Sequence, residues 1–206
     1  TIDMPNRSAN VLNDVFFTAF IEVLDRLEAD KTATGAILVS GKKLWIAGAD
    51  IDTSFNSFDP AHFFKMSELL KKDLRRLETI GKPVVAALNG TALGGGLEVA
   101  LACHYRVAID NDRIKFGFPE VGLGLLPGAG GVVRTVRLIG LQNAMEWLSQ
   151  NRKYTPKNSL KAGMIHGLAK DQNDLIAQAK AWIKANPEGK APWDADPKYR
   201  IPGGDP

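Results

Sequence analysis

Apolar residues recur in steps of three and four at Leu12, Phe16, Phe20, Val23 and Leu27, the spacing of an amphipathic helix that starts near Asn10. The pattern then shortens. Ala36-Ile37-Leu38-Val39 is a β-rich run, Gly41-Lys42-Lys43 turns the chain, and Leu44-Trp45-Ile46-Ala47 resumes an extended apolar segment before Gly48. Asp59-Pro60 pairs an N-cap with proline at the first helical position, predicting a helix with inner face Phe63, Met66, Leu70, Leu74 and Leu77 that stops at Gly81. Val84 to Leu88 is the most strand-like run of the chain. Beyond it the pattern predicts a helix from about Gly96 to Cys103, strands at Tyr105 to Ile109 and Ile114 to Gly117, and helices at Val132 to Ile139, Leu141 to Ser149, Pro156 to Ala162 and Leu175 to Ala185. Thr155 and Asp174 are the expected starts of the last two. Strands alternating with helices predict an α/β domain over residues 1–185. From Asn186 the chain is rich in Pro, Gly and Asp, has no periodic stripe, and reads as a linker-like tail over 186–206.

Composition narrows the class without naming a function. The chain has 206 residues, 45% hydrophobic and 24% charged, near the soluble globular average, so disordered and disulfide-stapled classes are excluded. Its single cysteine, Cys103, stands among Ala100, Leu101 and Ala102 and reads as a core thiol. No apolar run reaches the roughly 18 to 20 residues of a membrane helix, and the opening Thr1-Ile2-Asp3-Met4-Pro5 is neither a signal nor a transit peptide, so a cytoplasmic protein is expected. Charge is mildly asymmetric: 11 basic and 13 acidic residues up to Cys103, 15 and 10 after it. That balance suits an anionic ligand but lacks the basic stripe of a nucleic-acid binder.

The candidate chemistry lies in three glycine-rich turns, Ala47-Gly48-Ala49-Asp50-Ile51, Gly94-Gly95-Gly96-Leu97-Glu98 and Pro127-Gly128-Ala129-Gly130-Gly131. None has Gly-x-Gly-x-x-Gly spacing, and the nearest P-loop mimic, Gly35 through Gly41-Lys42-Lys43, has one residue too many and no Ser or Thr after the lysine, so NAD and ATP are discounted. What remains is glycine's simpler use: letting a ligand oxygen reach bare N–H groups, where two converging donors stabilise an oxyanion. Two carboxylates stand close to these turns. Glu98 sits in the first turn of a helix and Glu120, 22 residues on, follows Phe118-Pro119. Apolar neighbours Phe116, Phe118, Val121 and Leu123 would desolvate Glu120 and raise its pKa. Each carboxylate alone is ordinary: the first suits the helix dipole, the second a solvated loop. Their coincidence with three such turns is what points to a site.

At these residues the sequence resembles the crotonase, or enoyl-CoA hydratase/isomerase, superfamily. The three turns, with Asn89-Gly90-Thr91-Ala92-Leu93 before the second and Phe118-Pro119-Glu120-Val121-Gly122-Leu123-Gly124 before the third, follow that family's motifs in order, and the similarity runs from Thr1 to about Ala185. The resemblance implies a ββα spiral fold with the C-terminal helical part truncated. It implies an oxyanion hole from the N–H groups of Ala49 and Gly95, a catalytic pair Glu98 and Glu120, and Gly128 fixing the water or the Glu120 carboxylate. It further implies coenzyme A contacts at Ala47, Asp50, Ile51 and Lys43, with Phe55 and Phe58 lining the acyl channel or packing in the core. The substrate is then an acyl-CoA that brings the coenzyme with it, with no cofactor of the protein's own. Cys103-His104-Tyr105-Arg106-Val107-Ala108, Asp110-Asn111-Asp112 and the tail from Pro192 resemble the amino-terminal domain of the multifunctional subunit of bacterial fatty-acid β-oxidation. On that resemblance the tail leads toward an absent 3-hydroxyacyl-CoA dehydrogenase domain, and a homo-oligomer or a complex with a thiolase subunit is the expected assembly.

The remaining features carry no competing chemistry. His62, His104 and His166 form neither a metal motif nor a triad, Lys42 and Lys43 could meet coenzyme A phosphates but read first as solvated charges, and Trp45, Trp147, Trp182 and Trp193 read as packing residues. Three functions stay open: hydration of an enoyl-CoA with accompanying isomerisation, another thioester reaction such as hydrolysis or decarboxylation, and a non-catalytic or RNA-binding module.

Overall fold

Side-chain caps fix the starts of the first two helices. In the computed structural model, which describes residues 1–50 and 59–204, Asn13 accepts the Phe16 N–H at 3.1 Å and opens α1 (Asp14–Ala29). Asp59 accepts the Ala61 N–H at 3.0 Å and, with Pro60, opens α2 (Pro60–Glu78). The buried stripe of α1 is Phe16, Phe20, Leu24 and Leu27. Val23, expected on that stripe, is 46% exposed, because the helical repeat places Leu24 and not Val23 above Phe20.

After each strand pair the chain returns through a helix. The order is β1 (Ala36–Val39), β2 (Leu44–Ile46), α2; β3 (Val84–Leu88), β4 (Thr91–Leu93), α3 (Gly95–Ala102); β5 (Tyr105–Ile109), β6 (Phe116–Gly117), a 3-10 turn (Glu120–Leu123), α4 (Gly131–Ser149). The first strand of each pair joins one parallel sheet, β1-β3-β5-β7, and the second joins another, β2-β4-β6. This is the ββα spiral. The wider sheet is completed by β7 (Gly167–Ala169), which lies between α5 (Pro156–Ala162) and α6 (Gln172–Ala185) and pairs with β5. The sequence pattern does not predict β7, since three residues are too few to show a period. α6 starts three residues before Leu175, capped by Asp171 and not Asp174; the latter's carboxylate accepts the Lys170 N–H instead.

All five residues of β3 are buried, and they alternate between two cores. Val84, Ala86 and Leu88 join the main core with Trp45, Leu74 and Leu97, whereas Val85 and Ala87 meet Leu175 and Ala179 of α6. Each large side chain fully buried in this way contributes about 1.5–3 kcal/mol. Helix α3 lies inside the main core: every residue from Gly96 to Ala102 is buried, and a Cβ on Gly96 would stand 2.3 Å from the Ile46 carbonyl oxygen. α4 spans the two expected helices, which meet at a kink where Gly140 takes φ 79° and ψ 162°. Among the described residues no helix is long and apolar enough to cross a membrane.

The tail departs from the linker expectation. It docks on the body. Pro192–Ala195 forms a helical turn, α7, and Asp194 grips Arg75 through two bonds of 2.7 Å. Arg137 lies 5.3 Å over the Trp193 ring and its carbonyl accepts the Tyr199 hydroxyl, while the Pro202 carbonyl fills the space beside Gly140. These contacts use ion pairs, one aromatic face and main-chain carbonyls, none of which has a periodic signature.

Candidate active site

Three neighbouring parallel strands end on the same side of the β2-β4-β6 sheet, and each end delivers one expected part of the site. β2 leads to Gly48-Ala49, β4 to Gly94-Gly95, and β6 to Phe118-Pro119-Glu120. Ligand sites in parallel sheets form at the carboxyl ends of strands, where backbone groups leave the ladder.

At the first end, Leu12 brackets Ala49: the Leu12 N–H donates to the Gly48 carbonyl at 2.8 Å and the Leu12 carbonyl accepts the Asp50 N–H at 3.0 Å. In such a parallel bridge the N–H of the bracketed residue points away from the partner strand. At the second end, the Gly94 N–H donates to the Gly117 carbonyl at 2.9 Å, Gly94 adopts φ 52°, and Gly95 becomes the first residue of α3 with its N–H free of the helix ladder. Among the described residues, neither the Ala49 N–H nor the Gly95 N–H donates to a protein acceptor. Ala49 is exposed and Gly95 half-buried.

The carboxylates lie close enough for the charge of Glu98 to act on Glu120, in unequal surroundings. Glu98 is buried on α3, and one of its oxygens accepts the N–H groups of Ala129 and Gly131, each at 2.7 Å. That places the carboxylate on the N-terminus of α4, where the dipole favours negative charge. Burial pushes the Glu98 carboxyl up; the two amides, then Arg134 and Lys71, oppose it. Glu120 has only its own main-chain N–H as such support, and burial outweighs it. Burial, and to a lesser degree the charge of Glu98, pushes it up to about 7, and its Oε2 is buried without a hydrogen-bond partner among the described residues. A Cβ on Gly94 would lie 2.8 Å from Glu120 Oε1, so the second glycine turn also floors the acid. Both carboxyls are pushed up, but their partners differ: two main-chain N–H groups favour the charged form of Glu98, while Glu120 keeps a bare buried oxygen, the setting of a proton donor.

The other expected site residues fall in varied places. Gly128 is braced from α2, its carbonyl accepting the Ser67 hydroxyl at 2.5 Å. The groups that hold a carboxylate are its neighbours Ala129 and Gly131, which sequence reasoning passed over. The available signal was the run Gly128-Ala129-Gly130-Gly131 opening a helix, itself an anion site. The Ala47 N–H donates to the Asn10 carbonyl at 2.9 Å. Asp50 is buried on Arg7 at 2.8 Å and near Asn13 at 3.3 Å, which ties the Ala49 turn to the cap of α1. Lys43 is exposed and Lys42 pairs with Asp3 at 2.7 Å. Ile51, Phe55 and Phe58 lie outside the described residues.

His104 and His166 are structural. His104 accepts the Val84 N–H and sits 3.0 Å from the Glu78 carbonyl; His166 accepts the Arg106 N–H and stacks on Tyr105, and burial pulls its pKa down to about 3. The Cys103 thiol is buried and pushed up to about 12.

A family profile described as enoyl-CoA hydratase/isomerase matches residues 1–188. The chain is 38% identical to a fatty acid oxidation complex subunit alpha of Idiomarina loihiensis over 93% of its own length, and 38% identical to the subunit of that name from Shewanella baltica over 86%. It spans 27% and 24% of those relatives, about a quarter of each. Among solved structures, an enoyl-CoA hydratase from Bacillus anthracis superposes with TM-score 0.80 at 28% identity, covering 87% of this chain and 68% of that one. Another, from Thermoplasma volcanium, gives 0.79 at 26% identity over 86% and 70%.

Proposed function

Because the chain belongs to the enoyl-CoA hydratase/isomerase family, we propose that its site hydrates a trans-2-enoyl-CoA to the 3-hydroxyacyl-CoA, as a step of fatty-acid β-oxidation. The observation that carries this reading is the release of two unspent N–H groups, on Ala49 and Gly95, at neighbouring strand ends beside two interacting carboxyls in unequal hydrogen-bonding surroundings.

The chemistry follows from where charge develops. Adding water at the β-carbon of a conjugated thioester pushes electrons onto the thioester oxygen. Two fixed donors stabilise that enolate-like charge, and removing one typically costs about 3 kcal/mol of barrier, or roughly a hundredfold in rate. Glu98, whose charged form is favoured by the N–H groups of Ala129 and Gly131, orients the water and takes its proton. Glu120, protonated at the start, delivers a proton to the α-carbon. Proton transfer by Glu120 alone suits movement of a double bond, so isomerisation accompanies hydration on the same site. The substrate carries its own coenzyme A, and no further cofactor enters the reading. Lys43 and the Ala47 turn are the groups proposed to meet it. Action within a larger assembly is supported by the relatives' name as subunits of a fatty acid oxidation complex, and a cytoplasmic setting and a thiolase partner are proposed with it.

The test is the loss of the conjugated thioester's ultraviolet absorbance, with Glu98→Gln and Glu120→Gln beside the unsubstituted protein. Each substitution is expected to lower hydration by about 10²–10⁴-fold, and Glu98→Gln to spare more isomerisation than Glu120→Gln. Near-native hydration by both variants would remove the assigned roles.

A further inference from the structure

The amides that grip Glu98 are themselves gripped from behind. Arg134, buried on the first turn of α4, donates through Nη1 to the Ala129 carbonyl at 3.1 Å. Its Nε donates to Glu78 Oε1 at 3.0 Å, and Glu78, buried at the end of α2, also accepts from Arg75 at 2.6 Å. Arg75 is then held by Asp194 of the docked tail, through two bonds of 2.7 Å. The result is one continuous line of charge-assisted bonds: Asp194, Arg75, Glu78, Arg134, the Ala129 peptide, Glu98. Its outer end is partly open to solvent, with Asp194 23% and Arg75 47% exposed, while Glu78 and Arg134 are 3% and 7% exposed.

We propose that Arg134 is a positioning residue for Glu98, and that the tail fixes Arg134 from outside through Asp194, Arg75 and Glu78. The reason is geometric. Ala129 offers its N–H to Glu98 and its carbonyl to Arg134, so a shift of the guanidinium moves the amide that aims the carboxylate. The Ala129 to Gly131 turn has no side chain long enough to anchor itself, and its other brace is the Ser67 bond to the Gly128 carbonyl. Glu78 stands between two guanidiniums, so loss of Asp194 frees Arg75 to take a larger share of it from Arg134. Truncating Arg134 outright would leave the buried Glu78 with only the half-exposed Arg75 as its ion-pair partner and endanger folding; arginine to lysine keeps the charge but loses the fork that spans Glu78 and Ala129 together.

The role assigned to Glu98 rests on the hydratase reading, so the test has one readout that needs no catalysis. In Arg134→Lys, amide hydrogen exchange at Ala129 and Gly131 is expected to quicken at least tenfold while Val85 and Ala87 of β3 keep their protection. In Asp194→Asn the same two amides quicken about threefold. Uniform quickening that includes β3, or no change at Ala129 and Gly131, would overturn the proposal. In the hydration assay, Arg134→Lys is expected to lower kcat about tenfold with KM within twofold, and to cost nothing further when added to Glu98→Gln. Additive losses, or a raised KM with kcat intact, would equally overturn it. An unsubstituted protein without hydratase activity would remove the proposed function and leave the exchange measurement to decide the positioning.

Discussion

The β1-β3-β5-β7 sheet keeps unbroken parallel register across strands of three to five residues, whereas β2-β4-β6 is built from strands of two or three and shifts register between Leu44 and Ile46. The first spends its backbone groups on its own ladder and buries both faces of β3. The second gives up length, and what it gains is loose ends: a donor at Ala49, another at Gly95 and an acid at Glu120, each released where a strand stops. Regularity and function are thus assigned to different sheets of one spiral. A ladder continued through Ala49 or Gly95 would have more hydrogen bonds and no site.

That contrast can be broken most severely at the site, with almost no loss of fold. A Cβ at Gly131 would fall 2.8 Å from both Cγ and Oε1 of Glu98, so Gly131→Ala displaces the carboxylate directly. Hydration is expected to fall about a hundredfold, while the melting temperature drops by only a few degrees. Steady-state kinetics beside a thermal melt separates the two.

The next largest effect is on pH. With Glu120 raised to about 7, its acid form is lost as pH rises through neutrality, and hydration should decline about tenfold per unit on the alkaline side. Stability follows the same proton. The folded pKa lies above the usual 4.5, so the folded state holds the proton more tightly, and stability drains away between pH 4.5 and about 7 as pH climbs. Urea midpoints at pH 5 and 8 should therefore fall more for the unsubstituted protein than for Glu120→Gln. An equal fall in both would show the proton to lie elsewhere.

The smallest effect on chemistry comes from the wider sheet. Leu175→Ala empties a fully buried position under Val85 and Ala87 and is expected to remove about 2–5 kcal/mol of stability. Turnover per folded molecule should not change. A changed KM at Leu175→Ala would mean that the two sheets do not divide the work.

The sequence made some of this legible and hid the rest for identifiable reasons. Caps with a single-residue signal were readable: Asp59-Pro60 and Thr155-Pro156 mark α2 and α5 where the structure has them. The three glycine turns and two glutamates stood out because each is a local departure from periodicity. What stayed hidden depends on partners distant in sequence. β7 is defined by its pairing with β5, not by its three residues. Ala129 and Gly131 hold Glu98 through main-chain N–H groups, which every residue but proline possesses, so no side chain advertises them. The tail, 119 residues from Arg75 at Asp194, meets its target through a charge pair no local window contains.

Helix α3 has no outward face, since every residue from Gly96 to Ala102 is enclosed. A saturation scan along it would find no tolerant position, because each larger side chain strikes a wall and each smaller one leaves a void. The helix that bears Glu98 is therefore closed to gradual change, like an axle that cannot be thickened while the wheel turns. Any new substrate preference on this frame has to be acquired in the loops around the rim.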